Sequence, residues 1–304
     1  MNSTSPIIQG LVPPVPTPLT QDGKVDPVAF DRIAEHLHAS GIDAAFVLGS
    51  TGECASLSLS HRFHAIDAAS AAFSNRMPLL VGIGDPCIDH SLALAKHAAA
   101  ANATALVLNA PSYYEISHTE MRAYLDRIIP QLPLPVLLYN MPWLTGHSFD
   151  SQTLEHAASF PGLIGFKDSS GDLAYLQNLI RIASTRTDLS VLVGNDFLFL
   201  DALKLGAHGA VVGGAILYPD CFRKLLDAFN NHSTDLAESL QQEINRRGEI
   251  IFPATGNPSS VFAAIKGGLA SLGLCRPDMA PPIQSCTPDL VAAIGRILNP
   301  AAAA

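Results

Sequence analysis

The chain holds six lysines, and Lys167 differs from the other five in what precedes it. It closes the apolar run Gly162-Leu163-Ile164-Gly165-Phe166, whereas Lys24, Lys96, Lys204, Lys224 and Lys266 lie in turns or on helical patterns where a solvated ammonium is expected. An amine at the end of a buried strand is partly desolvated, which lowers its pKa from the free value of about 10.4 and makes it a nucleophile. Such an amine condenses with a ketone to a protonated Schiff base, an electron sink for making and breaking carbon–carbon bonds. Other polar residues also end apolar runs: Ser50 and Thr51 within Gly49-Ser50-Thr51-Gly52-Glu53, Tyr113-Tyr114, Tyr139, and Asn195-Asp196. Tyr139 is suited to shuttle protons, and the N–H groups and hydroxyls of Ser50 and Thr51, in a glycine-bounded turn, suit a carboxylate. In a purely structural reading, Lys167 pairs with Asp168 or Glu53 and the turn simply reverses the chain.

The elements that must position these groups follow one repeated pattern. Short apolar runs recur at 10–15, 44–48, 79–83, 105–108, 135–139, 163–166, 191–193 and 210–212, each too short for a helix. Amphipathic stretches with helical spacing separate them, at 27–39, 60–73, 89–101, 118–129, 151–159, 173–184 and 197–205. Asp26-Pro27 reads as an N-cap followed by a first-turn proline, and Gly41, Gly162 and Gly206 fall where helices end or strands begin. Continuous apolar runs predict strands covered on both faces, as in a parallel sheet. Eight β-then-α units predict an α/β fold, a closed (β/α)8 TIM barrel, over an open doubly wound sheet. After the eighth run the pattern is helical only, at 219–229, 235–249, 258–272 and 288–298, with a proline-rich connection at 277–282. The predicted organisation is a barrel catalytic domain over 1–214 and a helical region over 215–304 packed on it, ending in a frayed tail at 301–304. Active sites of such barrels lie at the C-terminal ends of the strands, where Lys167, Tyr139, Ser50, Thr51 and Gly213 all stand.

Composition narrows the function classes. Hydrophobic residues make up 48% of the 304 and charged residues 15%, a balance for a globular protein with an extensive core. A formal net charge of −9 repels phosphate backbones, and the densest basic cluster is only Arg246-Arg247, so nucleic acid is excluded as a partner. No run approaches the roughly 20 apolar residues that span a bilayer, and the first six residues lack a signal-peptide pattern, so no membrane partner and a cytoplasmic location are expected. Five scattered cysteines without a C-x-x-C read as reduced thiols, with Cys54 as a half-buried packing residue. His61 and His64 share a helix face without a third ligand, and Gly82-Ile83-Gly84 lacks the third glycine of a dinucleotide fingerprint. Gly194 and Gly213-Gly214 stand where some barrels bind phosphate, but no basic residue flanks them. A non-catalytic sensor of a 2-oxo acid is a further alternative, although mere binding does not need Lys167, Tyr139 and Ser50-Thr51 together.

In order and spacing, Gly49-Ser50-Thr51-Gly52-Glu53, Tyr139-Asn140-Met141-Pro142 and Lys167 resemble the dihydrodipicolinate synthase/N-acetylneuraminate lyase family of class I, pyruvate-handling lyases, over residues 10–282. The resemblance implies that Lys167 forms the Schiff base with pyruvate or a related 2-oxo acid, that Tyr139 is the general acid/base, and that Ser50 and Thr51 bind the carboxylate. It also implies that Tyr114 reaches into a neighbouring subunit's proton relay, that the assembly is a homotetramer built as a dimer of dimers, and that no metal or organic cofactor is needed. Departures fall on the acceptor side. Leu144 stands where dihydrodipicolinate synthases carry an arginine for the second substrate's carboxylate, and Phe197 and Gly213 replace an acidic residue and a serine of the sialate-lyase branch. The expected reaction joins pyruvate to an aldehyde of modest polarity, or splits the resulting 4-hydroxy-2-oxo acid. The alternatives are a dihydrodipicolinate synthase with its arginine replaced, and a non-catalytic 2-oxo-acid-binding member.

Overall fold

A computed structural model describes residues 8–299; the expected frayed tail and the first six residues lie outside the described residues. Nine strands form one parallel sheet: β1 (Gly10–Leu11), β2 (Pro14–Val15), β3 (Ala45–Val47), β4 (Leu79–Gly82), β5 (Ala105–Asn109), β6 (Val136–Asn140), β7 (Leu163–Asp168), β8 (Ser190–Val193) and β9 (Gly209–Ala210). Their order is β1-β9-β8-β7-β6-β5-β4-β3-β2, so the sheet is curled and the fold TIM-barrel-like. The run at 10–15 is two strands rather than one, because it changes partner midway. The Val12 N–H donates to the Ala210 carbonyl at 2.9 Å, and the Pro13 carbonyl accepts from the Phe46 N–H at 3.2 Å.

Helices α1 (Pro27–Ala39), α2 (Leu59–Phe73), α3 (Ile88–Ala100), α4 (His118–Ile128), α5 (Pro142–Thr145), α6 (Ser151–Ala158), α7 (Leu173–Ala183), α8 (Phe199–Leu205) and α9 (Gly214–Leu217) follow the strands. Their starts obey local capping chemistry: the Asp26 carboxylate accepts the Ala29 N–H at 3.0 Å, and Ser117 and Glu120 form a reciprocal capping box. The four-residue α5 and α9 are absent from the sequence pattern, since a single turn carries no periodicity. Beyond them lie α10 (Pro219–Asn230), α11 (Thr234–Ile251), α12 (Ser260–Ser271) and α13 (Pro288–Leu298).

Both faces of the sheet are buried. Val12, Phe46, Val107, Leu137, Tyr139 and Leu192 belong to an inner cluster, while Val47, Val81, Leu106, Leu138 and Val191 pack outward into the layer shared with the helices. The alternation fails in β7, where Ile164 lies in the inner cluster and Phe166 in the outer one. There the register with β6 steps from Val136 opposite Leu163 to Leu137 opposite Gly165. This irregularity inverts the facing of the residues that follow and turns Lys167 inward, directly opposite Tyr139. Gly165 permits it: its φ is +153°, and a Cβ there would lie 2.3 Å from the Ser190 carbonyl oxygen.

Candidate active site

Lys167 and Tyr139 are paired neighbours at the ends of β7 and β6, 5% and 4% exposed. The Lys167 Nζ sits 3.8 Å from the centroid of the Tyr139 ring and 5.0 Å from that of Phe46. Burial among these rings pulls the amine's pKa down to about 7, against the opposing pull of the Cys54 thiol and the Asp196 carboxyl group. Neither carboxylate considered as a structural partner holds it. Asp168 accepts from the Asn140 side-chain amide at 2.8 Å and from the Ser170 hydroxyl at 2.8 Å. Glu53 is bonded to Lys266. Among the described residues Lys167 makes no salt bridge, so it can shed its proton near neutrality and act as a nucleophile. Lys266 itself corrects the sequence reading: it is fully buried, not solvated, because the helix that carries it turns it onto Glu53.

Burial pushes the Tyr139 hydroxyl up to about 12, with the hydroxyls of Ser169 and Ser50 pulling the other way. The Ser169 hydroxyl lies 3.5 Å from it. Tyr139 therefore keeps its proton at neutral pH and can lend it to a group that gains negative charge. Asp196 was not among the residues the sequence singled out for a role. It lies buried in the same cavity, its carboxyl pushed up to about 6 by burial and restrained by the N–H groups of Gly214 and Gly213. One of its oxygens accepts the Gly214 N–H at 2.6 Å, so the start of α9 is already occupied by a carboxylate and has no free donor there for a phosphate.

Two cavities meet at this point. The smaller, about 80 Å³, is walled by Lys167, Tyr139, Ser50, Thr51, Asp196 and Gly213. The larger, about 250 Å³, shares Ser50, Tyr139, Met141 and Phe262 and adds Cys54, Leu144, Thr145 and Ile283. Five of the residues named from the sequence thus converge on one cavity, and Leu144 borders the adjoining one. Tyr114 touches neither: it is 74% exposed and packs edge-on against Tyr113 at 5.1 Å. Cys54 is half-buried beside the larger cavity, and burial pushes its thiol up. Phe262 and Ile265 come from α12, far beyond the last strand, and nothing in a helical pattern distinguishes them from ordinary core. Trp143 covers the rim, donating its indole N–H to the Ser169 carbonyl at 3.3 Å and lying nearly parallel to Phe262 with centroids 6.3 Å apart. A wider groove between α12 and α13, about 860 Å³ and bordered by Cys275, Cys286 and Val291, brings none of these groups together.

A model of the dihydrodipicolinate synthetase family matches residues 7–300. The chain belongs to that family. Its relatives include the protein named Probable 2-dehydro-3-deoxy-D-pentonate aldolase YjhH of Escherichia coli K12, 30% identical over 77% of this chain and 79% of the relative. Among solved structures, a dihydrodipicolinate synthase from Bacteroides thetaiotaomicron superposes with a TM-score of 0.92 at 35% identity, covering 97% of this chain and 99% of the other. YagE of Escherichia coli K12, solved in complex with pyruvate, superposes with a TM-score of 0.89 at 26% identity over 97% and 98%. Members of the family are class I, pyruvate-dependent lyases, and this member is a carbon–carbon lyase. No helix among the described residues is long and apolar enough to cross a membrane.

Proposed function

We propose that the protein joins pyruvate to a neutral aldehyde, or releases it from the corresponding 4-hydroxy-2-oxo acid, through a Schiff base on Lys167. The observation that carries this is the buried, unpaired amine of Lys167 facing Tyr139 across adjacent strands. We read the sheet as a closed (β/α)8 barrel, since the 10–15 segment bonds to both ends of the ladder. Residues 1–214 are the catalytic barrel, and 215–304 a helical region packed on it.

In this reading the neutral Nζ attacks C2 of pyruvate, and the carbinolamine loses its hydroxyl as water, with Tyr139 supplying the proton. The resulting iminium acidifies C3, and loss of a C3 proton leaves an enamine. Its C3 forms a bond to the aldehyde carbon while the aldehyde oxygen takes a proton. Hydrolysis of the new iminium then frees the 4-hydroxy-2-oxo acid and restores the amine; the reverse sequence breaks the C3–C4 bond. Ser50 and Thr51 hold the carboxylate through N–H and hydroxyl donors. Gly213, without a side chain, leaves room beside the imine.

The acceptor side supports a neutral partner. Leu144, Met141 and Phe262 wall the larger cavity, and among the described residues the only cation lining either cavity is Lys167, whose charge, as the iminium, is engaged at the 2-oxo acid. An acceptor carboxylate would lose water there without gaining a partner. The name of YjhH points the same way: a 2-dehydro-3-deoxypentonate splits between C3 and C4 into pyruvate and an uncharged two-carbon hydroxyaldehyde. We further propose a cytoplasmic homotetramer, a dimer of dimers, in which Tyr114 completes the proton relay of a neighbouring subunit. Pyruvate and borohydride together should inactivate the enzyme where neither does alone, and kcat/KM should favour neutral aldehydes over aspartate semialdehyde by roughly tenfold or more. Borohydride inactivation indifferent to pyruvate would remove the basis for this reading.

A further inference from the structure

The turn 49–53 is held in place from outside the strand that carries it. Glu53 has a positive φ of 61°, a conformation that costs free energy for any residue but glycine and persists only when its surroundings enforce it. What enforces it is a buried ion pair. One carboxylate oxygen accepts from the Lys266 Nζ, the other accepts the Ala280 N–H at 2.6 Å, and Lys266 also donates to the Asp278 carbonyl at 2.8 Å. Both side chains are fully buried. A second tie reaches the same turn from the other side, where the Thr17 hydroxyl donates to the Gly52 carbonyl at 2.7 Å. Gly52 itself has no room to adjust, since a Cβ there would lie 2.6 Å from the Leu48 nitrogen.

Lys266 directly follows Ile265 and lies one helical turn beyond Phe262, and both of these line the cavity that holds Lys167. One helix, α12, therefore walls the cavity and at the same time grips the turn that carries Ser50 and Thr51. A buried ion pair is a poor way to add stability, because desolvating both ions offsets much of their attraction, but it is strict about geometry.

We infer that Lys266 and Glu53 are positioning residues that fix the Ser50-Thr51 turn for the carboxylate of the 2-oxo acid, so that the C-terminal helical region sets the affinity for pyruvate. This rests on the reading of Ser50 and Thr51 as the carboxylate's donors.

The test compares Lys266→Met with the double variant Glu53→Leu/Lys266→Met. The single variant leaves a carboxylate buried without its cation; the double variant removes both charges, is the better folded, and carries the test if the single one does not fold. In folded protein, KM for pyruvate should rise roughly 10- to 100-fold while kcat at saturating pyruvate and KM for the aldehyde change only a few-fold. A double variant whose KM for pyruvate stays within about twofold of wild type overturns the inference and leaves the pair a purely structural one. Ser50→Ala and Thr51→Val run alongside. If they leave KM for pyruvate unchanged, the carboxylate reading itself fails; if they raise it and the Glu53 and Lys266 variants do not, only the inference about the ion pair fails.

Discussion

The two cavities that meet at Tyr139 are built from different materials. The smaller one takes its polar groups from strand ends and the turns that follow them, so sheet register sets the distances among Lys167, Tyr139 and Asp196. The larger one takes Leu144 and Thr145 from the single-turn α5 and Ile283 from the segment after α12, pieces that can change without disturbing a strand ladder, while α12 itself lines both cavities. Trp143 and Leu144 on α5 are 55% and 43% exposed, against 5% for Lys167. On the proposed function, the contrast means that activation of the 2-oxo acid and choice of its partner are separable. The first is locked into the core of the fold, and the second is carried on pieces free to vary.

Substitutions that act on one side only should break or sharpen this division. The largest effect is expected from Lys167→Ala: turnover disappears in steady-state assays while the fold, read by circular dichroism, stays intact. Next is Tyr139→Phe, which keeps the ring beside Lys167 and removes the proton donor; its kcat should fall by about 10²–10⁴ with little change in aldehyde preference. If Tyr139→Phe changed preference instead of rate, the two sides would not be separable.

Acidity comes next. The folded-state pKa of Lys167, about 7, means that below neutrality the amine is an ammonium and no longer attacks. The pH profile of kcat/KM for pyruvate should therefore fall by about tenfold per unit below pH 7 and level off above it. A flat profile between pH 5 and 8, on an about tenfold scale, would contradict the buried amine. On the acceptor side, Leu144→Arg should raise kcat/KM for an aldehyde bearing a carboxylate by roughly tenfold while leaving pyruvate-dependent inactivation by borohydride unchanged.

The smallest effect is on stability. Lys167 is depressed from 10.5 to about 7, so below pH 7 both folded and unfolded chains hold the proton and the fold bears the full cost of burying it. Between those values the unfolded chain alone stays protonated, stability rises with pH, and the cost is gone above 10.5. Lys167→Met should therefore stabilise the protein by on the order of a few kcal/mol at pH 6 and by progressively less toward pH 10, measured by denaturant unfolding.

Much of this was legible in the sequence because the signals were local. Every apolar run contributed to a strand, the last through Ala210 alone, the long helical patterns became helices, and the polar residues closing apolar runs, Tyr113, Tyr114 and Asn195 excepted, share a cavity. What stayed hidden depends on long-range geometry. Ile164, Gly165 and Phe166 are apolar or small whichever way they face, so nothing in them betrays the irregularity that turns Lys167 inward. Lys266 read as a solvated helical lysine because its partner stands 213 positions earlier. Asp196 closes an apolar run in the sequence but carried no role there, because the Gly214 N–H that holds its carboxylate stands 18 positions later. Leu144 borders the larger cavity, but Phe197, expected on the acceptor side, lines neither cavity and packs edge-on against Phe252, and Phe262, arriving from α12, showed nothing in the sequence.

The most direct test of the central claim is to trap the protein with pyruvate and borohydride at several pH values, digest it and map the adduct. The account predicts a single pyruvate-derived adduct, left as a reduced secondary amine on Lys167, forming faster as pH rises from 6 to about 8 as the amine loses its proton. An adduct on another lysine, Lys266 included, or none at all in protein that is folded and active, would contradict it.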